Sequence, residues 1–358
     1  MSVFKGEKLN IEIYGSSHDK KIGARVSGFP SMKIDSEKLK EFLKRRSPNG
    51  EIYSTARKET DEPIFENLAD NGVIGGDFTV DIYNKDVKSQ DYDELYAKPR
   101  PSHADYCRFL KNGELSFKGG GEYSGRLTAP YCVVGGLAKQ YLEKNYGIKI
   151  CAYLSSVGRV KGKSYKDGPI FLEEVENISG FPSLDSSEKM LEEIERARLD
   201  QNSVGATVEC IVYGMKKGVG GAGFWGLEGK ISHTVYAISG VKGVEFGDGF
   251  DISEKTGFEA NDQLEYVGGQ VKIMTNSAGG INGGISNGNP ITLKVAFRPT
   301  PSIAKPQKTV DLEKGENVEI QIKGRHDACF AVRAVPVVES GVAIAVLDAI
   351  LGEEDEND

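Results

Sequence analysis

Three of the four histidines lie in short polar segments that contain glycine or proline. These segments are GSSHDKKIG around His18, RPSHAD around His103 and GRHDAC around His326. A histidine titrates near neutral pH, so it can give a proton to a leaving phosphate or to an anionic cofactor when lysine and arginine keep theirs. A single histidine is more often a structural hydrogen-bonding group, and His233 in GKISHTVYAIS fits that role. The other three are candidates for acid–base work.

Arginines occur in or near the same segments. Guanidinium groups bind carboxylates and phosphates through paired hydrogen bonds, so the set predicts a site for a polyanion. For Arg45 and Arg46 alone, a solvated helix end stabilised by the helix dipole is the competing interpretation. The arginines concerned are Arg45, Arg46, Arg57, Arg126, Arg325 and Arg333.

The stretch 275–307 begins with a glycine-dense loop that lies between strand-like runs at 271–274 and 291–297. Glycine lets a ligand approach main-chain N–H groups, although a flexible hairpin tip is the alternative. No helix pattern follows, which argues against a dinucleotide fingerprint. A proline-containing turn follows downstream, in which Arg298, Thr300 and Ser302 alternate with Pro299 and Pro301. This rigid turn presents a guanidinium group and two hydroxyls, which suits a phosphate. A second glycine run, 119–121, opens onto a predicted helix and is a candidate anion or flavin contact.

The composition indicates a soluble globular protein. The chain has 358 residues, 39% hydrophobic and 27% charged, with a net charge of −8. An acidic chain is unlike the nucleic-acid-binding class, and neither a secretory signal nor a membrane-spanning segment is indicated. Five cysteines without a CxxC pair predict neither disulfides nor a zinc site. We therefore expect a cytoplasmic protein with no resident metal.

Two segments resemble each other, SGFPSMKIDSEKLKEFLKRR from Ser27 and SGFPSLDSSEKMLEEIERAR from Ser179. Each reads as a strand-terminating Gly-Phe-Pro turn, a cap and an amphipathic helix, which predicts two similarly built halves, with chance similarity as the alternative. Alternating runs predict half-buried strands at 9–14, 78–83, 208–213 and 318–322. Apolar helices are predicted at 130–143, in the centre, and at 335–351. The pattern favours an α+β sandwich, with one domain over residues 1–352 and a disordered acidic tail over 353–358.

Eight segments, taken in order, carry a family resemblance over essentially the whole chain. They are GSSH, RRSP followed by TARKETD, RPSHADY, GGGEYSGR, SGVKGVEFGDGF, NSAGGINGGISNG, FRPTPSI and GRHDACFAVRAVPVVE. Together they resemble chorismate synthase. The resemblance implies a β-α-β sandwich with central helices between antiparallel sheets, a homotetramer, and a 1,4-anti elimination of phosphate from 5-enolpyruvylshikimate 3-phosphate. It also implies reduced FMN as cofactor without net redox change, and it leaves open whether NADPH or an external flavin reductase supplies the reduced flavin.

The resemblance also implies roles for individual residues. His18 would face the substrate phosphate, His103 the flavin, Asp327 would assist removal of the ring proton, and Ser17 and Ser124 would relay protons. The implied FMN contacts are Glu122, Tyr123, Ser124, Ser239, Gly240, Gly283, Arg298, Pro299, Thr300, Pro301, Ser302 and Arg325. The implied substrate contacts are Arg45, Arg46, Arg57, Arg126 and Arg333.

Several positions depart from the family pattern, among them Ser239 and Gly240, which replace an asparagine-alanine pair. Ser16 and Asp19 stand where GESHG has glutamate and glycine, Ser102 replaces the glycine of RPGHAD, and Glu122 replaces an arginine. Glu122 would reverse a charge near the flavin contacts. The departures leave open a protein of the same fold that binds flavin or nucleotide with lost or altered activity. A phosphoryl transferase is disfavoured because no GxxxxGK[ST] loop occurs.

Overall fold

The computed structural model describes residues 2–47, 61–66, 68–84, 95–117, 119–322 and 327–356. The helices are α1 Ser36–Arg46, α2 Asp105–Asn112, α3 Thr128–Tyr146, α4 Leu172–Glu176, α5 Ser187–Leu199, α6 Leu227–Tyr236, α7 Gly257–Ala260 and α8 Ala331–Glu356. The strands are β1 Ser2–Lys5, β2 Asn10–Tyr14, β3 Lys21–Lys33, β4 Ile64–Phe65, β5 Val73–Tyr83, β6 Lys149–Val157, β7 Val160–Lys161, β8 Ala206–Tyr213, β9 Val241–Phe246, β10 Leu264–Val267, β11 Gln270–Ile273, β12 Ile281–Asn282, β13 Ile285–Ser286, β14 Ile291–Phe297, β15 Gln307–Asp311 and β16 Glu316–Ile320.

Within the described residues, two five-stranded antiparallel sheets carry the fold. The first has the order β1-β2-β3-β5-β4 and the second β7-β6-β8-β14-β9. The described part of the chain also forms three two-stranded hairpins outside these sheets, β10–β11, β12–β13 and β15–β16. The predicted α+β class is confirmed, and the predicted strands at 9–14, 78–83, 208–213 and 318–322 correspond to β2, β5, β8 and β16.

The helices α3 and α8 pack against each other and against strands of the sheets, so they form the centre of the core. Their close approach depends on Gly135, where a Cβ would lie 2.2 Å from Cβ of Ser340. Leu137, Val338 and Val342 are fully or almost fully buried beside this contact. The central helix predicted from its apolar pattern is therefore confirmed, and it is α3.

The terminal helix α8 is longer than predicted at both ends. It begins before Pro336, which lies inside it. The expected disordered tail at 353–358 is wrong for residues 353–356, because α8 continues to Glu356 and carboxylate oxygens of Glu353 and Glu354 accept hydrogen bonds from Gly220 N and Tyr146 Oη. Among the described residues, Ala331–Glu354 is long and apolar enough to cross a membrane, but 94% of its most apolar window is buried in the protein. It is a core helix.

The repeated segments produce equivalent helices but different turns. In α1, Asp35 caps the first turn by accepting from Lys38 N at 3.1 Å, and Leu39 and Leu43 are buried. In α5, Met190 and Ile194 are buried, but Ser186 makes no side-chain cap. The predicted strand-terminating turn is wrong for the first copy, because β3 continues through Gly-Phe-Pro to Lys33.

Strand β8 is more deeply buried than its alternation indicated. It packs on the main core through Val208, Cys210 and Val212, while Ile211 on its opposite face joins a second cluster with Tyr153, Ile170 and Val175. Two faces of this strand are therefore covered, and the half-buried prediction was wrong here.

Candidate functional site

A cavity of about 550 Å³ opens between the segments that carry the histidine and arginine motifs. Most residues predicted for the site line it, although they are far apart in the chain. They are Ser17, His18, Arg46, His103, Tyr123, Ser124, Arg126, Ser239, Gly240, Arg298, Pro299, Thr300, Pro301, Ser302, Asp327 and Arg333. Among the described residues, six lysine or arginine side chains and one carboxylate line this cavity, so its wall is strongly cationic.

Three predicted residues lie elsewhere. Arg45 lines a second cavity of about 500 Å³ and pairs with the buried Glu339, with Nη2 2.7 Å from Oε1. Glu122 is exposed and does not contribute to the lining, so its charge is outside the cavity wall. Gly283 lies between β12 and β13, away from the lining residues. Arg57, Arg325 and His326 are outside the residues that the structure describes.

Arg46 and Arg126 are held by one buried carboxylate. Both pair with Asp61, which is 6% exposed and also accepts from Ser47 Oγ at 2.8 Å. Arg46 further donates through Nε to Thr128 Oγ1 at 2.9 Å. Burial acts to raise the pKa of Asp61, but the two guanidinium groups outweigh burial and lower it to about 2. The carboxylate is thus ionised and offsets one of the two positive charges.

Arg333, on the first turn of α8, joins this wall to Asp327. Its Nη1 donates to Asp327 Oδ2 at 2.8 Å, and its Nε donates to the carbonyl of Arg46 at 2.9 Å. Burial lowers the pKa of Arg333, and Asp327 partly offsets that effect. Among the described residues, Oδ1 of Asp327 is buried without a hydrogen-bond partner. One oxygen of this carboxylate is therefore not engaged by any described residue.

His18 reaches the cavity from the loop after β2. Its Nε2 lies against Gly119, where a Cβ would come within 2.2 Å of that nitrogen. Gly119 also has φ of +61°, which favours glycine. Only a residue without a side chain leaves room for this imidazole, so the glycine run positions His18.

His103 lies in the loop before α2 and contacts a buried ion pair. Its Nδ1 is 2.7 Å from Asp105 Oδ1, and Asp105 accepts from Nε and Nη2 of Arg100 at 2.7 and 2.9 Å. Arg100 also donates hydrogen bonds to the carbonyl of Gly119 at 2.7 Å and to Ser302 Oγ at 3.3 Å. This pair therefore connects the histidine loop, the glycine run and the turn at 298–302.

The turn at 298–302 presents its polar groups to the same cavity. Arg298 Nη1 donates to the carbonyl of Ser102 at 2.5 Å, and Arg298 N donates to the carbonyl of Gly240 at 3.0 Å. Ser239 Oγ donates to the carbonyl of Tyr123 at 3.2 Å, so the second predicted glycine turn contacts the same wall. The predicted flavin-side segments are thus adjacent in space.

Several site residues were missed from the sequence. Arg100 and Asp105 flank His103 within RPSHADY, and Asp61 ends TARKETD, so motif membership was the available signal. Lys242 and Phe330 also line the cavity. They too lie within quoted motifs, SGVKGVEFGDGF and GRHDACFAVRAVPVVE, so motif membership was again the available signal.

The arrangement can hold a ligand with several negative charges and move protons on it. The arginines supply fixed charge, while His18, His103 and Asp327 can accept or donate protons. Tyr123, Ile238 and Phe330 add flat or apolar surface. An anionic ligand with a planar part would match this lining.

Known proteins resemble this chain over nearly its full length. The family model described as chorismate synthase matches residues 9–351. The chorismate synthase of Thermococcus gammatolerans is 39% identical over 350 residues, covering 97% of each chain. That of Thermococcus kodakarensis is 41% identical over 350 residues, again covering 97% of each chain. A structure titled Crystal Structure of Chorismate Synthase superposes with a TM-score of 0.73 and 23% identity, covering 98% of this chain and 93% of that one. This likeness shows the fold.

Proposed function

Because this chain belongs to the chorismate synthase family, we propose that it converts 5-enolpyruvylshikimate 3-phosphate to chorismate and phosphate by 1,4-anti elimination, with reduced FMN and no net redox change. The reaction is a carbon–oxygen lyase step of the shikimate pathway that leads to the aromatic amino acids. The observation that carries the proposal is the cationic cavity in which His18, His103 and Asp327 meet.

The cavity suits FMN together with an anionic substrate. A volume of about 550 Å³ is within the roughly 300 to 1,000 Å³ of small-molecule sites. Arg298, Thr300 and Ser302 offer hydrogen-bond donors to a phosphate, and the exposed face of Tyr123 and the Phe330 ring offer surface to a flat ring system. Reduced FMN, when bound, would supply electron density that assists loss of the substrate phosphate and is recovered as the ring hydrogen leaves.

The chain's own residues account for binding and proton transfer. Arg46, Arg126 and Arg333 would bind the two carboxylates and the phosphate of the substrate, because guanidinium groups bind such oxygens in pairs. His18 would donate a proton or a hydrogen bond to the leaving phosphate. Asp327 would accept the ring proton, and the hydroxyls of Ser17 and Ser124 would relay protons. We assign His103 to the flavin side.

The remaining expectations also belong to this proposal. We infer that one domain carries the activity, that the enzyme works in the cytoplasm without nucleic acid or membrane, and that FMN is reduced either by NADPH on the enzyme or by a separate reductase. Arg45, Arg57, Glu122, Gly283 and Arg325 stay predicted ligand contacts.

We also propose that the protein is a homotetramer, and a group of exposed apolar side chains supports this proposal. In the β10–β11 hairpin, Leu264 and Tyr266 are 66% and 81% exposed, and an isolated two-stranded hairpin is marginally stable in water. Phe250 and Phe258, in the segment before the hairpin, are each 80% exposed. Contact with further copies of the chain would bury these side chains.

Anaerobic turnover tests the proposed function. The purified protein is mixed with 5-enolpyruvylshikimate 3-phosphate and chemically reduced FMN, and chorismate and phosphate are measured. We expect equal amounts of both products and no reaction with oxidised FMN. FMN binding without product would support the alternative, a flavin-binding protein of the same fold that has lost the activity. A parallel reaction with oxidised FMN and NADPH decides whether the enzyme reduces its own flavin.

A further inference from the structure

We propose that Asp105 is a positioning residue that holds neutral His103 as the tautomer protonated on Nδ1, so that Nε2 meets the ligand as a hydrogen-bond acceptor. Arg100 keeps the carboxylate in place. The proposed effect on turnover rests on the proposed function, whereas the tautomer itself does not.

The Asp105 carboxylate is built into the protein interior. Asp105 is 0% and Arg100 3% exposed. The carboxylate accepts from the backbone N–H of Arg100 at 3.1 Å in addition to two hydrogen bonds from its side chain. A buried carboxylate with this many donors is rigid and ionised. Burial acts to raise the pKa of Asp105, but His103 and Arg100 hold it well below its usual range.

The distances around His103 Nδ1 distinguish the two neutral tautomers. Asp105 Oδ1 is 2.7 Å away and Arg100 Nη2 is 3.1 Å away. An ionised carboxylate can only accept and a guanidinium can only donate. If Nδ1 lacked a proton, the shorter contact would join two acceptors. With the proton on Nδ1, the shorter contact is a charge-assisted hydrogen bond and the longer one is a non-bonded neighbour, so this tautomer fits better.

The remaining ring nitrogen is the one left for the cavity. His103 lines the cavity with its side chain 16% exposed, and Nδ1 is occupied by Asp105. Burial lowers the pKa of His103, Asp105 opposes that effect, and the positive charges of Arg100 and Arg108 reinforce it. His103 is therefore neutral near pH 7. The ligand group that suits it is an N–H or O–H donor, and His103 acts first as a base at this point.

Solid-state NMR of the whole protein with 13C,15N-labelled histidine tests the tautomer directly. The four histidines give few signals, and the spectrum of His103→Gln identifies those of His103. At pH 7.5 we expect a neutral ring with the proton on Nδ1. A ring protonated on Nε2 alone, or on both nitrogens, would overturn the proposal. This measurement needs no variant of Asp105, so a variant that fails to fold does not weaken it.

Asp105→Asn tests the positioning role. An asparagine NH₂ group can donate to Nδ1, so we expect the proton to move to Nε2 in the NMR spectrum. Turnover should fall by about 10² to 10⁴ with a changed pH profile, as expected when an acid–base group is held in the wrong tautomer. The control Asp311→Asn alters a carboxylate of similar burial (4% exposed) outside the cavity. It should change neither the tautomer of His103 nor turnover and its pH profile. An unchanged tautomer and pH profile in Asp105→Asn would overturn the role. Loss of all activity in the unaltered protein would contradict the proposed function and leave the tautomer standing.

Discussion

Arg46 and Arg126 direct their Nη1 atoms to opposite oxygens of a single carboxylate, that of Asp61. Arg46 comes from the end of α1 and Arg126 from the turn before α3, so Asp61 sets the spacing between two parts of the cavity wall. One negative charge between two positive charges leaves this group of three side chains with a net positive charge. The wall is therefore cationic, and Asp61 reduces the repulsion between these two guanidinium groups.

Asp61→Asn should destabilise the protein strongly. Removing the charge takes the shared Asp61 counter-ion from two guanidinium groups whose side chains are each 4% exposed. Loss of one partner of a buried pair costs about 3 to 5 kcal/mol. Urea unfolding measures the free energy of unfolding. Asp70→Asn, at an exposed position, should stay within about 0.5 kcal/mol of the unaltered protein. Equal effects of the two substitutions would show that Asp61 is not holding the pair.

The same carboxylate predicts a pH dependence of stability. The pKa of Asp61 falls from 3.8 to about 2 on folding, so its stabilisation is present above the unfolded value and is lost as pH falls through the folded value. The difference in unfolding free energy between the unaltered protein and Asp61→Asn should shrink by roughly 2 kcal/mol between about pH 5 and pH 2. Asp105, whose pKa is also lowered, is present in both proteins, so its contribution to the unfolding free energy cancels in the difference. A difference that stays constant with pH would contradict the prediction.

The main elements of the fold could be predicted because their patterns are local. The apolar run of α3 and the alternation in β2 and β14 need no distant partner to be recognised. The Gly-Phe-Pro segment in β3 could not be read this way. Pairing of β3 with β2 ends at Ser27, and its register with β5 shifts on both sides of Phe29. Pro30 therefore lies where no strand needs its missing N–H, a fact that only the tertiary structure supplies.

The site could be predicted only where its residues lie in local sequence motifs. Arg45 and Arg46 are adjacent in sequence, but neighbours on a helix point in different directions. Arg46 lines the cavity, while Arg45 meets Glu339, 294 positions along the chain. Glu339 interrupts the apolar pattern of α8, yet it is a buried partner of Arg45 and Lys139. Pairings over such distances leave no periodic signal.

Gly119→Ala should abolish most activity by displacing His18. The new Cβ would come 2.2 Å from His18 Nε2, whereas at Gly113, with a similar φ of +68°, an added Cβ meets nothing within 4 Å. Both variants carry the same backbone strain, so both should lose roughly 1 kcal/mol of stability. Only Gly119→Ala should lose about 10² to 10⁴ in turnover. Similar activities in the two variants would mean that His18 need not keep its position.

Ser102→Gly should stabilise the protein. Ser102 has φ of +57°, a region that costs a side-chain-bearing residue about 1 to 2 kcal/mol and glycine almost nothing. The flexibility of glycine in the unfolded chain offsets part of this gain, which leaves about 0.5 to 1 kcal/mol. Ser31→Gly, at an exposed position of β3 whose φ is not positive, should instead destabilise. The check is the urea midpoint at constant m-value, and a lower midpoint for Ser102→Gly would contradict it.

The central claim is that elimination takes place in the cavity that His103 lines, and phosphate release under anaerobic conditions with reduced FMN tests it most directly. His103→Ala is compared with His233→Ala, which alters an exposed histidine on α6 that lies beside Phe4. We predict that His233→Ala keeps the rate of the unaltered protein, while His103→Ala binds substrate with similar affinity and loses about 10² to 10⁴ in turnover. Near-normal turnover by His103→Ala would contradict the account.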